Sequence, residues 1–236
     1  MVSLRTVLRR TGSADKITSM RPVLLGHRGS RCSRSVAENT CAAFDSALQH
    51  GCDGFEFDVR LTADGVAVIC HDPHIAKSRA IKISAATASQ VTNLPRLEMV
   101  LERYGDRAFL DIELKVPGLE TSVLELLRER PPERGFVVSS FLPQVLLDLK
   151  RRSPAVPAGL ICGNRRQLQL WRELPAEYVI VRQSLSTYEL LNEVQGAGKK
   201  LFVWTVNHKS AMLRLAEWAV DGIISDRTDL LGKALA

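Results

Sequence analysis

Residues 54–61 read Gly54-Phe55-Glu56-Phe57-Asp58-Val59-Arg60-Leu61, and residues 108–115 repeat the theme as Ala108-Phe109-Leu110-Asp111-Ile112-Glu113-Leu114-Lys115. Successive side chains of a strand point to opposite faces, so a period of two separates them. Phe55, Phe57 and Val59 share one face of the first run, and Glu56 and Asp58 share the other. In the second run Ile112 and Leu114 share one face, while Asp111, Glu113 and Lys115 share the other. The apolar faces suit packing against helices. The acidic faces then turn towards an interior, which is how strands of a closed barrel are divided between outer shell and inner core.

Working outward, apolar runs suited to strands recur at 23–27, 136–140, 157–161, 178–181, 201–205 and 222–225. Helix-like stretches lie between and after them, at about 40–50, 95–104, 119–130, 142–152, 164–173, 187–196, 209–219 and 227–235. Leu142, Val145, Leu146 and Leu149 show the helical apolar period, as do Met212, Leu215 and Ala219. Strands that alternate with helices predict the α/β class and a single (β/α)8 TIM barrel, for which 236 residues is an ordinary length.

Residues 66–70, Val-Ala-Val-Ile-Cys, also read as a strand and follow the turn signal Thr62-Ala63-Asp64-Gly65. A hairpin after strand 2 is expected, with Leu61 facing Val66 and His71 opposite Glu56. Residues 72–94 have weak periodicity and read as a short cap loop over one end of the barrel, with no second domain.

Several carboxylates inside a barrel need compensation, because an unpaired buried carboxylate shifts its pKa or destabilises the fold. A divalent cation held by Glu56, Asp58 and Glu113 meets that need, and all-oxygen ligands favour Mg2+ or Ca2+. The plainer alternative is a salt-bridge network with Arg28 and Lys115, which would account for one carboxylate well and three poorly. His27 ends strand 1 and His71 ends the hairpin arm. Two histidines across one site suit general acid and base roles; plain hydrogen-bonded structural histidines at strand ends, and zinc ligation with an acid, are the other readings. Arg28 and Lys115 would set two cations beside the metal to bind an anionic phosphate, or would only neutralise the acids. Gly29 permits either close ligand approach or a turn. Asn39 or Thr40 reads as a helix N-cap, with Glu38 able to reach Arg28. Trp204 shares a face with Phe202 and stands as an apolar substrate wall or a core residue. His50, His74 and His208 lack comparable neighbours.

The composition narrows the classes. Apolar residues make up 45% and charged residues 25% of the chain, which supports an ordinary packed core. No run of about 18 apolar residues suggests a membrane span. Aromatic residues are 6%, without basic-aromatic repeats, so nucleic-acid binding has little support. The net charge is +6, and half of it sits in residues 1–20, which read as a disordered basic tail. A loose likeness to a transit peptide, and an alternative start at Met20, stand beside that reading. Residues 21–236 then form the barrel domain. The five cysteines are odd in number and show no Cys-x-x-Cys spacing, which predicts a reducing, cytoplasmic setting without disulfides.

Taken in order, GHRGS at 26–30, AENT at 37–40, GFEFDVRLTADG at 54–65, ICHD at 69–72, DIELK at 111–115, VSSF at 138–141, VWTVN at 203–207 and DGIISD at 221–226 resemble the glycerophosphodiester phosphodiesterase family. The resemblance runs over nearly the whole chain from Arg21. It implies one divalent ion on Glu56, Asp58 and Glu113, acid–base roles for His27 and His71, and Arg28 and Lys115 near the phosphate. It further implies attack by the glycerol 2-hydroxyl, a cyclic phosphate, and release of an alcohol and sn-glycerol 3-phosphate. The chain departs from the family pattern at Ala37, where proline is usual, and at Lys77, where arginine is frequent. The 72–94 segment is also shorter than the small inserted domain typical of bacterial members, and an open mouth would suit a lysophospholipid at a membrane surface. A small-molecule glycerophosphodiester substrate is the leading expectation. A lysophospholipase-D-like enzyme is the second. A silent phosphate-binding module is the third, and the intact histidine and carboxylate set argues against it.

Overall fold

The computed structural model describes residues 21–33, 35–75 and 78–236. The tail reading for residues 1–20 and the departure at Lys77 lie outside them. The first half of the chain gives β1 (Val23–His27), α1 (Cys41–Gln49), β2 (Gly54–Leu61), β3 (Ala67–Ile69), β4 (His74–Ile75), β5 (Ser78–Lys82), α2 (Leu97–Tyr104), β6 (Phe109–Leu114) and α3 (Glu120–Glu129). The second half gives β7 (Phe136–Ser140), α4 (Pro143–Arg152), β8 (Ala158–Cys162), α5 (Arg165–Leu168), β9 (Tyr178–Arg182), α6 (Tyr188–Gly196), β10 (Lys200–Trp204), α7 (Lys209–Glu217), β11 (Gly222–Ser225) and α8 (Thr228–Leu235).

β1, β2 and β6 to β11 pair in parallel, and β1 closes on both β11 and β2. The barrel is complete, so no edge of the main ring is left unpaired. Burial follows the alternation of β2 and β6. Phe55, Phe57, Val59, Leu110, Ile112 and Leu114 belong to the large apolar shell under the helices. Leu25, Val137, Ile161, Tyr178, Ile180, Phe202 and Ile224 fill the inside of the ring. Glu56, Asp58, Asp111 and Glu113 are buried at the same inner positions of β2 and β6.

β2 is held from outside by aromatic packing. Phe44 of α1 stacks on Phe55 at 4.1 Å, and Tyr104 of α2 meets Phe55 edge-on at 5.0 Å. Such pairs add roughly 0.5–1.5 kcal/mol each beyond area burial. They fix the strand that carries Glu56 and Asp58. At the foot of β2, a Cβ on Gly54 would fall 1.9 Å from the Phe109 carbonyl oxygen, on the strand paired with it. Gly54→Ala is therefore expected to destabilise the chain by about 3 kcal/mol or more, read as a lower urea midpoint.

The hairpin is present with a register one residue away from expectation. Leu61 pairs with Ala67 rather than Val66, and the Thr62 amide donates to the Val66 carbonyl at 3.0 Å. The loop is thus Ala63-Asp64-Gly65, with Gly65 at φ +82°, the three-residue hairpin that ends on a left-handed residue. Continued downward, this register sets His71 level with Phe57 rather than Glu56. β3 takes the edge of β2 just above the stretch taken by β1, so the arm descends towards the end of β1.

The 72–94 segment carries more structure than the expected loop. β4 and β5 pair antiparallel, and short 3-10 turns follow at Ile83–Ala85 and Ala88–Gln90. Ile83, Ala86 and Val91 are buried with Val68 of β3 in a small cluster of their own. The expected helix at 164–173 is a short α5 continued by a 3-10 turn over Gln169–Arg172.

Candidate active site

The C-terminal ends of the barrel strands surround one pocket of about 100 Å3, lined by His27, Arg28, Glu56, His71, Asp111, Glu113, Lys115, Phe141, Ile161, Ile180, Trp204 and Ile224. Ligand sites of such barrels gather at this face. Asp58 lies just beneath, beside both cations. All eight residues singled out from the sequence are thus brought to one place.

The turn after β1 supplies the first group. Arg28 is left-handed at φ +55°, and its amide donates to Glu56 Oε2 at 2.9 Å. A Cβ on Gly29 would meet the Ala43 backbone at 2.6 Å, so its bareness serves packing against α1 rather than a ligand. Arg28 Nη1 donates to Glu38 at 2.8 Å, and Nε lies 3.2 Å from Asp58 Oδ2. Thr40 is the N-cap of α1. Asn39 does something else: its amide donates to Asp58 Oδ2 at 2.8 Å, and its side-chain oxygen accepts from the Asp58 amide at 3.3 Å. Lys115 lies 2.6 Å from Glu113 Oε1 and 3.1 Å from Asp58 Oδ1.

These contacts leave the acids unequal. Burial works against ionisation of Asp58, but Lys115, Arg28 and the Asn39 hydrogen bond hold it below the usual carboxylate range. Burial raises Glu56 well above that range, and the nearby charges of Asp58 and Glu113 push the same way. Burial carries Glu113 up to about 7 despite Lys115, and Asp111 up to about 7 despite the Ser139 hydroxyl that donates to it at 2.5 Å. The salt-bridge alternative therefore accounts for Asp58 and partly for Glu113. It leaves Glu56 Oε1 buried without a hydrogen-bond partner.

A ligand atom from each of Glu56, Asp58 and Glu113 lies within 4.8 Å of the others, and among the described residues this is the group able to hold a metal ion. An orphaned carboxylate oxygen, hard oxygen donors and unmatched negative charge fit a divalent cation.

Each histidine has one ring nitrogen engaged. His27 Nδ1 is 2.8 Å from Asp226 Oδ1, and its Nε2 faces Glu56 Oε2 at 3.9 Å. His71 Nδ1 is 2.8 Å from Asp72 Oδ1. Asp226 also accepts from Arg31 at 3.0 Å and Asn207 at 2.8 Å. Burial opposes its charge, yet the His27 contact and these partners lower it to about 2. Asp226 and Asn207 join the site beyond the residues expected from sequence, and both sit in the DGIISD and VWTVN stretches. Trp204 is half-buried; its Nε1 donates to the Ile180 carbonyl at 3.3 Å and its ring meets Phe141 edge-on at 5.7 Å. It stands as a wall of the pocket.

The family described as "Glycerophosphoryl diester phosphodiesterase family" matches residues 27–125 and 111–230. The chain belongs to that family. A glycerophosphodiester phosphodiesterase of Caldanaerobacter subterraneus subsp. tengcongensis is 32% identical over 239 residues, with 90% of this chain and 97% of the relative covered. Among solved structures, an Oleispira antarctica phosphodiesterase in complex with the product sn-glycerol-3-phosphate superposes with a TM-score of 0.79 at 25% identity, over 91% of this chain and 96% of that one. The glycerophosphodiester phosphodiesterase of Thermotoga maritima gives 0.76 at 27% identity, over 91% and 98%. The glycerophosphodiester phosphodiesterase barrel is thus the fold of this chain. Among the described residues, no helix is long and apolar enough to cross a membrane.

Proposed function

We propose that the chain hydrolyses glycerophosphodiesters to an alcohol and sn-glycerol 3-phosphate, with a divalent cation on Glu56, Asp58 and Glu113. The observation that carries this is the convergence of three buried carboxylates, one with an orphaned oxygen, beside two histidines and two cations in a single pocket. Mg2+ or Ca2+ suits the oxygen donors. When bound, the cation supplies Lewis-acid stabilisation of the negative charge that develops on the phosphoryl oxygens.

Arg28 and Lys115 attract and orient the phosphodiester, and Trp204 with Phe141 gives the substrate carbons an apolar wall. One of His27 and His71 takes the proton of the glycerol 2-hydroxyl as its oxygen attacks phosphorus. The other protonates the departing alcohol oxygen. A cyclic phosphate results. The two histidines then exchange roles as water opens the ring. The Asp226 contact holds His27 with Nδ1–H outward and Nε2 towards the pocket, the tautomer that proton transfer needs. Asp226→Asn is expected to lower kcat by ~10²-fold with a small change in KM, checked by steady-state kinetics. An unchanged kcat would remove Asp226 from that role.

A lysophospholipid substrate draws less support. Most apolar residues of the cap, Ile83, Ala86 and Val91, are buried against Val68, and Ile81 is the large apolar side chain left exposed there among the described residues. The test is product analysis by 31P NMR with glycerophosphocholine and lysophosphatidylcholine side by side. Glycerol 3-phosphate from the soluble diester, with a transient cyclic phosphate, is the expected result. Turnover of the lysolipid alone would overturn it.

A further inference from the structure

The pocket at the barrel mouth, about 100 Å3, is small beside a whole glycerophosphodiester. The leaving alcohol must extend beyond it. Trp204, one wall of that pocket, is also a wall of an adjoining groove of about 800 Å3. Arg182 and Arg214 line this groove with Ser184, Asn207 and Asp226.

The placement of Arg182 follows from the strand. Ile180 of β9 lines the inner pocket, and Arg182, two residues on, shares its face and lies about 7 Å nearer the mouth. It pairs across the sheet with Trp204. Arg214 reaches the same groove from α7, with its guanidinium 5.6 Å from the centre of the Trp218 ring. Both arginines are exposed, and among the described residues neither has a carboxylate within ion-pair distance. The one acid of the groove, Asp226, is already matched by His27, Arg31 and Asn207. Two exposed guanidinium groups without carboxylate partners therefore line this groove, that of Arg214 beside the Trp218 ring. Guanidinium groups recognise carboxylate and phosphate oxygens by paired hydrogen bonds.

We infer that Arg182 and Arg214 form a leaving-group subsite selecting glycerophosphodiesters whose alcohol carries its own anion, such as a second phosphodiester. This rests on the hydrolysis proposed above and names its substrate class. The reaction is unchanged: one water is consumed, the phosphorus–oxygen bond to the alcohol breaks, and that alcohol leaves protonated with its anionic group intact.

A matched pair of probes tests it: glycerophosphoglycerol, with a neutral leaving alcohol, and bis(glycerophospho)glycerol, whose leaving alcohol bears one more phosphodiester. At low salt the full chain is expected to prefer the second by about tenfold in kcat/KM, mainly through KM, and the preference should shrink as ionic strength rises. Arg182→Gln with Arg214→Gln should erase the preference with little change for the neutral probe. Arg182→Glu should invert it. Equal kcat/KM for the two probes in the unaltered chain, or a preference that survives in the double variant, would overturn the inference and leave the phosphodiesterase reading intact. No turnover of either probe would overturn both. Arginine-dependent sedimentation with anionic vesicles, without a probe preference, would assign the groove to a lipid surface instead and overturn the subsite.

Discussion

His27→Ala and His71→Ala are each expected to lower kcat for glycerophosphocholine by about 10²–10⁴-fold. Each removes a proton carrier that acts only in the transition state, so kcat and kcat/KM should fall together while KM moves little. The two histidines work on the same bond change. The double variant should therefore fall little below the worse single one, far short of the product of the two losses. Both side chains stand at strand ends on the pocket, so the fold is expected to survive either change. A melting temperature within a few degrees of the unaltered chain would confirm that. Near-normal turnover in either single variant would take that residue out of the acid–base pair.

Glu56→Gln is expected to abolish divalent-cation binding and metal-stimulated turnover. The amide keeps the shape and removes the charge that burial already disfavours. The same substitution should act in the opposite direction on the metal-free fold. Glu56 and Glu113 have folded pKa values above the ordinary carboxylate range, and Glu113 reaches about 7. A carboxyl raised in the folded state costs nothing below its unfolded pKa near 4, and its penalty grows as pH rises through the folded value. Metal-free protein should accordingly lose stability between about pH 5 and pH 8, and a divalent ion should restore it. Thermal melts with EDTA, Mg2+ or Ca2+ at pH 5.5 and pH 8 read this directly. The metal-induced rise should be larger at pH 8. Metal-free Glu56→Gln should melt above the metal-free parent there, and should not respond to added cation. A metal response in Glu56→Gln equal to the parent's would remove Glu56 from the ligand set.

The barrel could be read from sequence because its decisive strands carry their instructions locally. In β2 and β6 the alternation of apolar and acidic residues separates outer from inner face without reference to any other element. The same alternation put Glu56, Asp58 and Glu113 on one interior. The hairpin register was harder. Thr62-Ala63-Asp64-Gly65 announces a turn, but whether Thr62 belongs to the loop or to its first pair depends on Gly65 adopting φ +82°, which one residue's identity does not decide. The cap illustrates another limit. Ile83, Ala86 and Val91 meet Val68 through 3-10 turns whose spacing follows neither a helical nor a strand period. Asn39 and Asp226 escaped for a third reason. Asn39 has the composition of an N-cap, and its contact with Asp58 spans 19 residues; Asp226 meets His27 across 199. Only ring closure, which joins β11 to β1, brings the last pair together.

Phosphodiester cleavage is proposed to depend on a cation held by the acids inside the barrel. Its most direct measurement is glycerol 3-phosphate release from glycerophosphocholine by the full chain, stripped with EDTA and shown metal-free by elemental analysis, before and after Mg2+ or Ca2+ is returned. Negligible release from the stripped protein and recovery with one of the two ions are expected. Full turnover by the verified metal-free protein would contradict that dependence.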